Sequence, residues 1–130
     1  MKLLQKTLPL LVLLIAFVAL SWNDDKVFTN DSLIVLVKYK TQAGKSEETI
    51  GQMTQLIEKV KKEPHFMSIK LHVDPKDATN ILLYEEWHNA DYYNNEHMQT
   101  PHLQKFMGEA RNFLAGPPEI SQWKVAKEFR

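Results

Sequence analysis

The segment from Tyr84 to Phe106, YEEWHNADYYNNEHMQTPHLQKF, constrains this chain more than any other. It opens as a strand, in which alternation puts Glu85 and Trp87 on one face. Asn89 is then a suitable N-cap for a short helix that delivers His97. Thr100 and Pro101 restart the chain, since Thr caps well and Pro tolerates the first helical position, and His102, Leu103 and Phe106 follow. A carboxylate, an indole and two imidazoles are thus carried on a strand, a turn and a broken helix. That is the wall of a pocket.

The rest of the chain supplies a frame for this wall. Leu33 to Tyr39 (LIVLVKY) is β-branched and apolar, with the length of a buried strand. After a turn at Gly44, Ser46 is an N-cap candidate with Glu47 and Glu48 at the positive end of the helix dipole. Ile50, Met53, Leu56, Ile57 and Val60 then recur at helical spacing, and Pro64 ends the helix. Met67, Ile69, Leu71 and Val73 alternate with polar residues, which predicts a strand covered on one face. Asp74 to Asp77 is a turn, and Ile81 to Trp87 a third strand. The second helical region carries Leu103, Phe106, Met107, Ala110, Phe113 and Leu114 on one face until Gly116-Pro117-Pro118, after which Ile120 to Ala126 is predicted as the last strand. The order β-α-β-β-α-β is ferredoxin-like, an α+β antiparallel sheet with both helices on one face. The bare face of such a sheet requires a cover, and a second copy of the chain is the simplest one.

Composition narrows the functional classes. Sixteen acids balance sixteen bases, so nothing points to nucleic acid, and the absence of cysteine excludes thiolate nucleophiles, iron-sulfur ligation and disulfides. Lys2 and Lys6 precede an apolar run from Leu8 to Leu20, and Ala19 and Ser21 are small. Residues 1–21 therefore read as a signal peptide, implying an exported protein, periplasmic or extracellular. Left uncleaved, residues 7–22 would serve as a membrane anchor instead. Removal of residues 1–21 leaves 14 basic and 16 acidic residues, a net charge of −2. Residues 22–32 read as a polar linker, 33–126 as the folded domain and 127–130 as a tail.

Glu85-x-Trp87, then His97, then Thr100-Pro101-His102-Leu103 with Phe106, resembles the signature of the antibiotic biosynthesis monooxygenase family, from about Leu33 to Val125. The resemblance implies a dimeric α+β barrel. It also implies oxygenation without metal, flavin or haem: a small quinol or phenol is deprotonated, and its anion passes an electron to O2 directly. The small quinol monooxygenases are among the branches it looks most like, as is an isomerase acting on a phosphorylated autoinducer. Haem degradation would call for an asparagine near Val37 and a histidine after His102 in the second helix, and neither is present.

On this reading His97 is the catalytic base, an imidazole being able to accept a proton near neutrality. Alternatively it only ties the helix break to the strand. Glu85, mid-strand among apolar neighbours, requires a partner if buried, and His97 is the expected one, either orienting the base or locking the fold. Trp87 bounds the substrate or belongs to the core, and His102 is assigned to the substrate side with it or else packs or hydrogen-bonds locally. Of Tyr92 and Tyr93, one phenol lines the pocket; Tyr93 is assigned to it, with Phe106, although sequence does not fix the helix phase. His65, His72 and His88 read as surface groups. No metal site is expected, because no paired histidines fall on one continuous helix. Two rival readings stand beside the oxygenase: a dimeric binding or stress-response module without turnover, and an isomerase of a small hydroxyketone.

Overall fold

The computed structural model describes residues 32–130; the expected signal segment and nearly all of the linker lie outside them. Four strands form one antiparallel sheet in the order β2-β3-β1-β4: β1 is Leu33–Lys40, β2 Phe66–Val73, β3 Asn80–Trp87 and β4 Glu119–Trp123. Helix α1 is Ser46–Val60, α2 is Ala90–Asn94 and α3 is Pro101–Glu109, with single 3-10 turns at His97–Gln99 and Ala110–Asn112. This is the ferredoxin-like α+β arrangement expected from the alternation of periods.

Register decides which side chains meet the helices. Leu33, Val35, Val37 and Tyr39 of β1 pair with Trp87, Glu85, Leu83 and Ile81 of β3, and all eight are buried. They pack against Met53, Leu56 and Val60 from α1 and Phe106 from α3 in one apolar cluster. A single carboxylate, Glu85, sits in the middle of this face. The opposite face, with Leu36, Leu82, Tyr84 and Trp123, carries none of the described helices, and Trp123 is 57% exposed.

Four local expectations are corrected. Ser46 does not cap α1: Lys45 holds the cap position without a side-chain bond, and the Ser46 hydroxyl lies 3.3 Å from that of Thr41. Thr100 likewise holds the cap position of α3, yet its hydroxyl turns back to donate to the His97 carbonyl at 2.9 Å, bracing the 3-10 turn. In β2 a bulge between Phe66 and Ser68 interrupts the strict alternation, because two residues on one strand oppose a single neighbour there. Phe66 is thereby turned edge-on to Trp87, with ring centroids 5.8 Å apart, while Met67 is 40% exposed. β4 is also shorter than expected, ending at Trp123.

The second helix ends well before the Gly-Pro-Pro stop because the close of β1 takes over its carbonyls. The Gln42 side-chain amide donates to the carbonyls of Arg111 and Leu114, and the Gln42 backbone N–H donates to that of Phe113. Phe113 and Leu114 therefore enter the core from a short tie to β1 rather than from a continuous helix, and Met107 is left half exposed. Phe113→Ala should cost about 3–5 kcal/mol and Met107→Ala less than about 1 kcal/mol in chemical denaturation, the core truncation leaving a cavity and the rim truncation leaving none. Comparable losses at the two positions would restore the single helical face.

Candidate active site

The site is organised by a residue that the motif does not contain. After α1, the N–H of Lys61 still reaches Ile57 and that of Glu63 reaches Val60, but Pro64 cannot extend the ladder. His65 then takes a left-handed backbone conformation (φ 67°), which swings the chain into β2. Glu63 is left at the corner with its side chain only 6% exposed.

Three donors converge on its carboxylate. Tyr92 Oη donates from α2 at 3.0 Å, His97 Nδ1 from the 3-10 turn at 2.9 Å, and His102 Nε2 from α3 at 2.8 Å. One acid thus fastens all three pieces of the broken helix to the end of α1. An ionised carboxylate only accepts, so His97 carries its proton on Nδ1 and keeps a lone pair on Nε2. Among the described residues no fully buried side-chain nitrogen or oxygen lacks a partner. Nε2 of His97 makes no hydrogen bond, so it keeps contact with open space.

That space is a cavity of about 640 Å³ between the sheet and the helices, mostly apolar, with Glu85, Tyr93 and His97 among its lining residues. Val37, Tyr39, Leu83 and Phe106 add to its walls, and its size suits a small organic molecule. Tyr93 stacks on His97 at 4.9 Å with 24° between the planes, and Trp87 packs against both rings at 5.4 and 4.6 Å. The imidazole is held by a carboxylate on one edge and by aromatic faces around it. Only Nε2 is left for chemistry.

Glu85 is not the partner of His97. Its Oε2 accepts from the Trp87 indole N–H at 2.9 Å, two residues along the same strand face, and its other oxygen makes no protein hydrogen bond and opens toward the cavity. Burial raises its pKa to about 7, the indole bond opposes that rise, and the negative charge of Glu63 adds to it. Tyr39 and Tyr93 also face the cavity, their phenols held protonated chiefly by burial and further by the Glu85 charge. His97 is pulled below its ordinary value by burial, and the Glu63 hydrogen bond offsets part of that loss. The His97 ring is therefore unprotonated near neutrality.

Of the six residues assigned from sequence, four meet at the cavity: Glu85, Tyr93, His97 and Phe106. Trp87 does not bound it, being fully buried behind Glu85 and His97 as core. His102 does not line it either; it reaches Glu63, 39 residues away, instead of bonding locally. Tyr39 was not singled out, although its place at the end of β1 was legible. Glu63 was invisible because Lys61-Lys62-Glu63 reads as a solvated helix end, and only the following Pro64 hints at a tight corner.

Two outcomes follow from this geometry. Glu63→Gln should destabilise the fold by about 2–3 kcal/mol in denaturant titrations, since the amide has one accepting oxygen and turns its NH2 toward a donor, leaving at least one of the three unsatisfied; a loss below about 0.5 kcal/mol would show that the three bonds do not hold the break. For Glu85 the folded pKa lies above the unfolded one, so the folded state binds the extra proton between about pH 4.5 and 7 and loses that advantage as pH rises. Glu85→Gln should therefore gain on the parent chain by about 2–3 kcal/mol between pH 4.5 and 8, and a pH-independent difference would contradict it.

Residues 32–109 match the antibiotic biosynthesis monooxygenase family. An uncharacterized protein of Synechocystis sp. is 30% identical over 110 residues, 82% of this chain and 72% of that protein. Among solved structures, the fold is shared with PA3566 from Pseudomonas aeruginosa (TM-score 0.66, 21% identity, covering 74% of this chain and 96% of that one). It is shared too with an antibiotic biosynthesis monooxygenase (TM-score 0.66, 19% identity, 73% of this chain and 99% of that one). With the sheet order and the matched residues in agreement, the chain belongs to the antibiotic biosynthesis monooxygenase family.

Proposed function

We propose that this protein is a monooxygenase that inserts one oxygen atom of O2 into a small phenol or quinol, using His97 as the base. The observation that carries this reading is the His97 imidazole, anchored through Nδ1 on Glu63 while Nε2 faces an apolar cavity. A quinol hydroxyl placed at Nε2 loses its proton to the ring. The resulting anion gives one electron to O2, and the semiquinone and superoxide recombine at a ring carbon. The peroxide takes the proton back from His97 and loses water to leave the oxidised, oxygenated ring. The balance is one quinol and one O2 to one hydroxyquinone and one water.

The other residues serve this step by placement. Glu63, rather than Glu85, fixes the tautomer of the base. Glu85, poised near neutrality with one oxygen free, hydrogen-bonds the substrate's second oxygen. Tyr93 and Phe106 flank the ring, and the apolar walls exclude water, which keeps the anion reactive toward O2. Trp87 and His102 act from behind the wall.

The same proposal includes a homodimer, the second copy covering the sheet face that carries Leu36, Tyr84 and Trp123. It also includes export, which rests on Lys2, Lys6 and the Leu8 to Leu20 run. His97→Ala should lower oxygen uptake with a reduced naphthoquinone by about 100-fold or more while the protein stays folded. Unchanged turnover in a folded variant would remove His97 from the mechanism. Light scattering should give twice the chain mass at micromolar concentration, and Trp123→Glu should give the single chain; a parent protein of single mass would contradict the dimer.

A further inference from the structure

The two imidazoles bonded to the Glu63 carboxylate line two different hollows. His97 belongs to the large cavity. His102 belongs to a separate small one of about 30 Å³, lined also by Gln52, Gln55, Lys59, Lys105 and Glu109. Leu56 and Phe106 line both and form the partition between them. The small hollow has room for a water, so His102 meets solvent on the far side of the wall from the substrate.

We propose that His102 is a positioning residue that acts through Glu63: by gaining or losing its own proton on the solvent side, it governs how readily His97 takes one from the cavity. The proposal rests on the reading of His97 as the base. Its geometry is a chain of two charge-assisted bonds, His97 Nδ1 to Glu63 Oε1 at 2.9 Å and Glu63 Oε2 to His102 Nε2 at 2.8 Å. Each imidazole donates to Glu63 whether neutral or charged, so the hydrogen bonds survive every protonation state. The charge balance does not. One carboxylate carries one negative charge, and the imidazole that becomes cationic first claims it.

The two imidazoles differ in their access to water: the His102 side chain is 18% exposed against 6% for His97, so a cation at His102 keeps more of its hydration. Once His102 is an imidazolium, His97 faces a neutralised pair with a like charge beyond the carboxylate, and its Nε2 stays bare to lower pH. The depression of His97 by the His102 charge runs in the same direction.

The other groups packed on this chain of bonds do not reverse the sign. Tyr92 keeps its proton, its phenol pushed up to about 12 by burial and by Glu63, with His65 against its ring and the Glu96 charge nearby. Tyr93 and Trp87 flank His97 without charge, and Glu85 acts from the cavity side alone. Around His102, Lys105 is paired with Glu109 at 2.9 Å, and Lys59 stands on α1 beside them. The consequence for the reaction is a base kept free of a resting proton as the surroundings acidify.

The test is a proton and carbon NMR titration of the histidine rings in the folded full chain, without substrate. The His97 signal should move in two steps, the first at the pH where His102 titrates. In His102→Gln, whose side-chain amide still donates to Glu63, one step should remain, displaced upward by about 0.5–1 pH unit. A single-step His97 titration in the parent protein, or an unmoved midpoint in the variant, overturns the proposal. Should the variant fail to fold, the presence or absence of the first step in the parent chain decides alone. Because no substrate is present, the outcome is separate from oxygen uptake: uncoupled histidines with turnover intact remove only His102, and coupled histidines without turnover remove the oxygenase.

Discussion

A buried carboxylate at the end of α1 is the constraint on which this structure depends. Taking Glu63 out of water is costly, and only several good donors offset it. The protein supplies three, from three successive pieces of one interrupted helix. The interruption is what makes the convergence possible. A continuous helix would have spread Tyr92, His97 and His102 around its axis, whereas the restart at Pro101 turns the second imidazole back toward the same acid. The bonds that secure the fold are thus the bonds that orient the His97 ring.

Catalytic readiness and stability pull on the cavity in different ways. Glu85, Tyr39 and Tyr93 carry polar atoms into an apolar face, and Glu85 holds only one intramolecular bond there. A core residue of similar volume would pack without that cost. The cost falls where a ligand with its own polar atom would relieve it, as the proposed substrate would. Burial keeps the phenols protonated and His97 unprotonated, so the cavity offers phenol donors and an imidazole acceptor in fixed places.

Much of this was legible in the sequence, and the exceptions have physical causes. Alternation and helical periodicity depend on burial of one face, so strands, helices and their order followed from the apolar pattern. Glu85 could be singled out because a carboxylate in the middle of a buried strand is an anomaly. Its partner is not legible from nearness in sequence: the indole two residues on is the nearer donor, and the imidazole twelve residues on belongs to an acid 34 residues before it. Strand alternation also says which side Trp87 faces but not how deep it lies, and the depth makes it core. The bulge at Phe66 and the early end of α3 are set by contacts with β3 and with Gln42, which no local pattern records.

The account stands on the position of one ring nitrogen relative to a substrate oxygen. The most direct measurement is a crystal structure with a bound hydroxynaphthoquinone, the class of product that the proposed reaction would leave. The ligand's ionisable oxygen should lie about 3 Å from His97 Nε2, with its ring between Tyr93 and Phe106. A ligand oriented with that oxygen toward the cavity mouth, or seated outside the cavity, would contradict the account.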